Sequence, residues 1–150
     1  MQVRRARAEE AAEIAGLWIR SRVASAPGIP LPVHSEDEVL TWFRAVVLPS
    51  SEVWVVDDEG LLVAVLVLDD DWIDQLYIEP GRTGRGIGSE LLAVAKRQRP
   101  STLRLWTFAT NVGARRFYEN HGFMATGWTD GDNEEGAPDV RYEWSAASPA

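Results

Sequence analysis

The sequence predicts a single α+β domain, a mixed α/β arrangement, that spans residues 1–150. Its length of 150 residues is that of one ordinary domain. Its composition, 45% hydrophobic and 25% charged, is typical of a globular chain. Helix-like and strand-like patterns follow one another in the order βααβββαβαββ. Residues 145–150, which read SAASPA, are expected to form a loose tail.

The first half of the chain is predicted to hold a strand, two helices and a β-hairpin. Residues 2–5 suit a short strand, and the apolar residues of 8–23 recur at helical spacing. Three prolines exclude a helix from 26–32. Ser35 is a typical N-cap, and the helix after it is expected to end before Pro49.

The hairpin and the second half of the chain carry the remaining elements. Strands at 52–56 and 61–68 flank the turn-like segment 57–60. The other predicted elements are a strand at 72–78, a helix at 86–99, a strand at 102–108, a helix around Ala114 to His121, and strands at 123–128 and 140–144.

Charge and composition exclude several classes of function. The formal net charge of -8 and the pI of about 4.7 oppose binding to nucleic acid or to an anionic membrane surface. The chain has no cysteine, which excludes disulfides, zinc thiolate sites and a cysteine nucleophile. The longest apolar run, 61–68, is far shorter than the ~20 residues that cross a bilayer. With no signal-peptide pattern at the N-terminus, we expect a cytoplasmic protein.

A glycine-rich loop, TGRGIG at 83–88, lies between a predicted strand and a predicted helix. Free backbone amides and the positive end of the helix meet there, which favours an anion such as a phosphate. The loop lacks the Lys and Ser or Thr of a Walker A motif, and Gly84, Gly86 and Gly88 do not fit the dinucleotide fingerprint. A turn whose glycines merely let helix and strand pack closely remains the alternative.

A second motif, NVGARRFYENHGF at 111–123, follows downstream. Together the two motifs resemble those of the GNAT superfamily of acyl-CoA-dependent N-acyltransferases. The order of the elements extends the resemblance over the whole chain. One difference is Thr83, which stands where the family usually has Gln or Arg.

The resemblance implies a fold and an acetyl-CoA site. It implies a mostly antiparallel twisted sheet flanked by about four helices, with a splayed parallel pair, 72–78 and 102–108, that holds the acyl donor. The pyrophosphate would lie on the amides of 85–89, and the pantetheine arm would pair like a strand with 76–78. Among four nearby arginines, Arg82, Arg85, Arg115 and Arg116, we select Arg85 for the 3′-phosphate. The expected donor-binding residues are Leu76, Tyr77, Ile78, Gly84, Arg85, Gly86, Ile87, Gly88, Ser89, Asn111, Ala114, Phe117 and Tyr118.

The resemblance also assigns chemistry. Tyr118 would be the general acid that protonates the leaving thiolate, since a phenol keeps its proton at neutral pH. The main-chain amide of Tyr77 or Ile78 would donate to the thioester oxygen. Asp74 and Glu79 are both candidates for the group that accepts the amine proton through water. The reaction requires no metal.

The acceptor site is expected between the connection 26–35 and the loop 130–139, lined by one or two of the seven tryptophans. The loop is acidic and would either attract a cationic amine or simply be solvated. The resemblance thus predicts transfer of an acetyl group from acetyl-CoA to a primary amine of a small molecule or peptide. It also implies a homodimer as the expected assembly. Two alternatives stay open: a non-catalytic acyl-CoA-binding regulatory module, and a nucleotide-phosphate binder.

Overall fold

Seven strands form one mixed sheet in the computed structural model, which describes residues 1–26 and 30–146. Neighbouring strands are antiparallel except for β4 and β5, and the order is β1-β2-β3-β4-β5-β7-β6. The strands are β1 Gln2–Arg5, β2 Glu52–Asp58, β3 Leu61–Asp69, β4 Trp72–Ile78, β5 Thr102–Phe108, β6 Met124–Thr129 and β7 Asp139–Ser145. This confirms the predicted α+β class.

Four helical segments of the described chain flank the sheet. They are α1 Ala11–Ala24, a segment made of α2 Glu36–Trp42 and α3 Leu48–Ser50, then α4 Ile87–Gln98 and α5 Val112–Asn120. A 3-10 turn, Ala8–Glu10, precedes α1, so the start of the first predicted helix is tighter than an α-helix. No helix of residues 1–26 and 30–146 is long and apolar enough to cross a membrane.

The second helix does not end before Pro49, as the sequence predicted. A π-helical stretch, Phe43–Val47, joins α2 to α3, and the Leu48 amide donates to the Phe43 carbonyl five residues back. Pro49 lies at the start of the following turn, where an amide proton is not needed. The helix therefore runs through the proline to Ser50.

Other predicted ends shift by one or two residues. The hairpin turn shrinks to Glu59 and Gly60 because β2 pairs as far as Asp58 with Leu61. Ser145, predicted to start the loose tail, is the last residue of β7. Residues 147–150 of that tail and 27–29 of the proline-rich loop lie outside the described residues.

The core has two parts, one on each face of the sheet. Leu66 and Leu68 of β3 pack on the face covered by α4, while Val65 and Val67 pack on the face covered by α1 and α2. Since β3 is buried on both faces, its run of apolar residues needs no polar alternation.

The parallel strands β4 and β5 separate soon after they begin. In the described structure, β4 and β5 have one pair of directly opposed residues, Trp72 and Arg104. The Arg104 amide also donates to the Asp71 carbonyl at 2.9 Å. The rest of β4 leaves β5, which confirms the predicted splay. A gap therefore opens within the sheet beside residues 76–78.

Candidate active site

The amides of β4 divide between its neighbour and the gap. Glu79 donates its amide to the Val63 carbonyl of β3, and the register places Tyr77 opposite Val65. In an antiparallel ladder, hydrogen-bonded and non-hydrogen-bonded residue pairs alternate along the strand. Since Glu79 is in a hydrogen-bonded pair, Tyr77, two residues earlier, is in one too, and its amide points to β3. The amides of Leu76 and Ile78 therefore point the other way, to the gap. Of the two predicted oxyanion donors, this geometry favours Ile78.

Helix α1 fixes β4 from the other side. The Ser21 hydroxyl donates to the Ile78 carbonyl at 2.8 Å, and the Trp18 indole donates to the Gln75 side chain at 2.9 Å. These contacts hold the strand in place where its pairing with β5 has ended. The sequence had no signal for them beyond the helical periodicity of α1.

A cavity of about 810 Å³ lies at the gap. We call it the donor cavity. All of the predicted donor-binding residues line it except Arg85 and Ile87. Ile87 is instead buried in the core, and Arg85 is exposed. Ser21 and Ala24 of α1, and Ser25 directly after it, also line the cavity and were not predicted.

The glycine loop has the shape that a phosphate needs. Gly86 is the N-cap of α4 with a φ of 82°, a conformation that favours glycine, and the first-turn amides beyond it have no partner within the helix. A Cβ at Gly88 would lie 3.1 Å from Ile78 Cδ1 and 3.2 Å from Phe117 Cζ. Close packing therefore explains Gly88, while backbone conformation explains Gly86.

Asn111 and Tyr118 face the donor cavity from the second motif. Asn111 Oδ1 accepts a hydrogen bond from the Ala114 amide at 3.1 Å and caps α5, which leaves its side-chain NH2 for a ligand. Tyr118 is buried with its ring against Phe117 and Phe123. Its hydroxyl bonds to none of the described residues. Burial, with Tyr77 nearby, raises the pKa of Tyr118 above its ordinary value, so the phenol keeps its proton.

The four candidate arginines differ in their partners. Arg82 pairs with Asp58 at 2.6 Å, and Arg115 donates to the Tyr142 hydroxyl and stacks on Trp128. Arg85 and Arg116 bond to no other residue of the described chain. Of these two, Arg85 lies within the glycine loop, which supports its selection.

The two candidate bases line neither of the cavities described here. Glu79 accepts two hydrogen bonds of 2.8 Å from Arg20, so both of its carboxylate oxygens are occupied. Asp74 lies at an irregularity where β4 gains one residue over β3. Desolvation and, to a smaller extent, the charge of Asp69 raise the pKa of Asp74.

A second cavity, of about 770 Å³, adjoins the first. We call it the acceptor cavity. Gln75 lines this cavity and the next residue, Leu76, lines the donor cavity, so the two share β4 as a wall. The two predicted loops contribute Pro32, Val33, His34, Glu134 and Glu135 to its lining. Helices α1 and α2 contribute Trp18, Arg22, Asp37, Glu38 and Trp42, none of which the sequence had individually assigned to the acceptor site.

Two contacts close the loops over the acceptor cavity. His34 Nε2 lies 3.1 Å from Glu134, and Arg22 Nη2 contacts Glu135 at 3.5 Å. Arg22 is buried, stacks over Trp18 and also donates to the Pro30 carbonyl. The cavity wall therefore carries more carboxylates than cations, which suits a cationic acceptor.

Fold and cavities together describe a split sheet with a glycine loop at one cavity and an acidic second cavity beside it. The profile of a family described as “Acetyltransferase (GNAT) domain” matches residues 49–125, just over half of the chain. The chain belongs to this GNAT acetyltransferase family. It is an acetyl-CoA-dependent N-acetyltransferase, as the two motifs predicted.

Named relatives agree with this family. “Peptidyl-lysine N-acetyltransferase YjaB” of Salmonella typhimurium is 31% identical over 135 residues, which cover 89% of this chain and 90% of the relative. The solution structure of apo YjaB from Escherichia coli has a TM-score of 0.77 at 28% identity, covering 97% of this chain and 98% of that one. The structure of yncA from Salmonella typhimurium with acetyl-CoA shares the fold, with a TM-score of 0.74 at 18% identity and coverage of 100% and 96%.

The contact between His34 and Glu134 predicts a pH-dependent closure of the loops. The hydrogen bond with Glu134, helped by Glu38, raises the pKa of His34 above its ordinary value. A raised pKa in the folded state means that the contact stabilises the protein at low pH, and that this contribution is lost as the pH rises through the folded pKa. An NMR titration of the His34 ring should show this raised pKa.

Substitution tests the origin of that shift. Glu134→Gln should lower the His34 pKa towards its ordinary value, while Asp132→Asn in the same loop should leave it unchanged. Equal pKa values in the wild type and in Glu134→Gln would refute the contact.

Proposed function

We propose that the protein transfers the acetyl group of acetyl-CoA to the ε-amine of a lysine side chain in a peptide or protein. The observation that carries the proposal is the pair of cavities that share β4, one along its free edge at the glycine loop and the other acidic. The name of the relative YjaB, a peptidyl-lysine N-acetyltransferase, supports lysine as the acceptor. Because acetyl-CoA is made inside the cell, we expect the reaction to take place in the cytoplasm.

The donor cavity would hold acetyl-CoA by its backbone groups. The first-turn amides of α4 would donate to the diphosphate, and Arg85 would pair with the 3′-phosphate. The amides of Leu76 and Ile78 would pair with the pantetheine arm and with the thioester oxygen, because they point into the gap. The side-chain NH2 of Asn111 would donate to the same arm.

The acceptor cavity would take the lysine side chain against an aromatic wall. Trp18 and Trp42 pack edge to face, with ring centroids 6.5 Å apart, and both line the cavity, so the aliphatic stem would pack against this pair. Asp37, Glu38 and Glu134 would attract the ammonium group and basic residues around it.

Direct attack needs the amine to lose a proton first. Asp74 suits this role better than Glu79, because its pKa is raised and Glu79 is held by Arg20. A water molecule would carry the proton to Asp74, since its side chain lines neither cavity. The neutral amine would then attack the thioester carbon, forming the new C–N bond.

Tyr118 completes the transfer. The Ile78 amide would donate to the oxygen that becomes negative during attack. When the C–S bond breaks, Tyr118 would give its proton to the thiolate, and the nitrogen of the new amide would lose its second proton to solvent water. The Tyr118 phenolate would then take a proton back from solvent. Its raised pKa keeps it in the protonated form before each turnover.

The experiment that tests the function combines binding with turnover. Acetyl-CoA should bind, and thiol should be released when a lysine peptide is added, with a matching mass gain on the lysine. The same peptide with its lysine already acetylated is the control and should give no thiol. Binding of acetyl-CoA without thiol release over a broad panel of amines would contradict the proposal and favour the non-catalytic module.

Replacement of Tyr118 separates chemistry from binding. Tyr118→Phe should lower kcat by about 10²- to 10⁴-fold, the usual contribution of a general acid. The dissociation constant for acetyl-CoA should change little, because the hydroxyl makes no hydrogen bond within the described structure. Steady-state kinetics and calorimetry measure the two quantities.

The matched control is Tyr142→Phe. Tyr142 lies 6.4 Å from Tyr118 between ring centroids, but its hydroxyl donates to Glu119 rather than facing the donor cavity. This variant should be less stable and keep its kcat. A Tyr118→Phe enzyme with wild-type kcat at every pH would show that Tyr118 is not the acid.

A further inference from the structure

Beside the glycine loop, Ser89 and His121 form a side-chain pair that the reaction above does not use. Ser89 Oγ lies 3.1 Å from His121 Nε2. Ser89 belongs to the first turn of α4 and lines the donor cavity, while His121 directly follows α5. On the other side of the ring, His121 Nδ1 lies 2.8 Å from the Phe117 carbonyl oxygen.

The Phe117 contact determines which nitrogen of the ring carries a proton. A carbonyl oxygen only accepts hydrogen bonds, so Nδ1 must be the donor. In the neutral imidazole Nε2 then carries no proton, so it accepts a hydrogen bond from the Ser89 hydroxyl. The single proton of Ser89 is thereby engaged, and its oxygen presents only lone pairs to the donor cavity.

This arrangement is unfavourable for a bound diphosphate. Phosphate oxygens are acceptors, so they would meet the lone pairs of Ser89 rather than a donor. If Nε2 gains a proton, it donates to Ser89 Oγ instead, and the hydroxyl proton is free to turn into the cavity. The imidazolium also places a positive charge near the anion.

The charged group that contacts His121 is a cation. From α4, the Lys96 ammonium donates to the His121 carbonyl at 2.7 Å and so adds a positive charge nearby. From α5, Arg116 and Glu119 make no ion pair with the ring, and the imidazole ion pairs of the described chain belong to His34. An anion in the donor cavity would supply the missing counter-charge.

We propose that His121 is a positioning residue that becomes protonated when the acyl donor binds and turns the Ser89 hydroxyl into a donor for the diphosphate. Donor binding therefore takes up a proton from solvent, which ends on Nε2. The inference rests on the proposed function, because the diphosphate belongs to acetyl-CoA. It goes further in linking donor affinity to the protonation of one side chain.

Calorimetry with two ligands tests the proton uptake. Dephospho-CoA is the probe, because it keeps the diphosphate and lacks the 3′-phosphate, a monoester that itself titrates near pH 6. Titrations at one pH in two buffers of different ionisation enthalpy give the protons bound per ligand. Binding of dephospho-CoA should be accompanied by the uptake of a fraction of a proton per ligand. Binding of pantetheine, which has no diphosphate, should be accompanied by none.

Three variants assign the proton to its site. His121→Gln retains an amide that can donate to Ser89 but does not titrate, so it should bind dephospho-CoA and lose the uptake. His34→Gln removes the other histidine of the chain and should keep the uptake. Ser89→Ala should weaken dephospho-CoA about tenfold, the value of one hydrogen bond to a charged group, and leave pantetheine binding unchanged.

The outcomes separate the inference from the function on which it rests. Equal heats in both buffers for the wild type, or uptake that survives in His121→Gln, would overturn the inference while dephospho-CoA still binds. A purely structural role for His121 would weaken pantetheine as much as dephospho-CoA, which would also overturn it. Failure of CoA and dephospho-CoA to bind at all would overturn the proposed function first.

Discussion

The early separation of β4 from β5 is the constraint on which the rest of the site depends. The strands share one opposed pair, Trp72 and Arg104, and beyond it the amides of Leu76 and Ile78 have no strand to pair with. Backbone groups in a protein interior need hydrogen-bond partners, so the gap favours an extended polar ligand that completes the sheet. Helix α1 stabilises the free edge of β4, and the two motifs bring α4 and α5 to the end of the gap.

Charge is distributed so that one acidic chain can take an anionic donor and a cationic acceptor. The chain carries a formal net charge of -8, which by itself repels an acyl-CoA. The donor cavity offsets this locally with the first turn of α4 and with the unpaired Arg85. The acceptor cavity keeps its carboxylates, with His34 and Arg22 tying the loops together. The shared wall of β4 keeps these opposite environments one residue apart.

Most residues that the sequence singled out for the donor line one cavity, because the signals that single them out are local. The glycines of 84–88 lie in one short segment and the second motif, 111–123, in another. In each, the order of residues along the chain is enough to single out the side chains. The acceptor cavity is different: Trp18, Trp42 and Gln75 come from three distant segments, and their meeting depends on how α1 and α2 pack. Ser89 and His121 are 32 residues apart in the sequence, and no sequence pattern predicted their contact either. Pro49 misled the prediction because a π-helical stretch can precede a proline without ending the helix.

Residue-resolved amide hydrogen exchange, with and without acetyl-CoA, tests the central claim most directly. If the donor completes the sheet at the gap, the amides of Leu76 and Ile78 should exchange about tenfold or more slowly in the complex. Those of Tyr77 and Glu79 should already be protected in the free protein by their bonds to β3. Unchanged exchange at Leu76 and Ile78 while acetyl-CoA is bound would contradict the account, because the donor would then lie elsewhere.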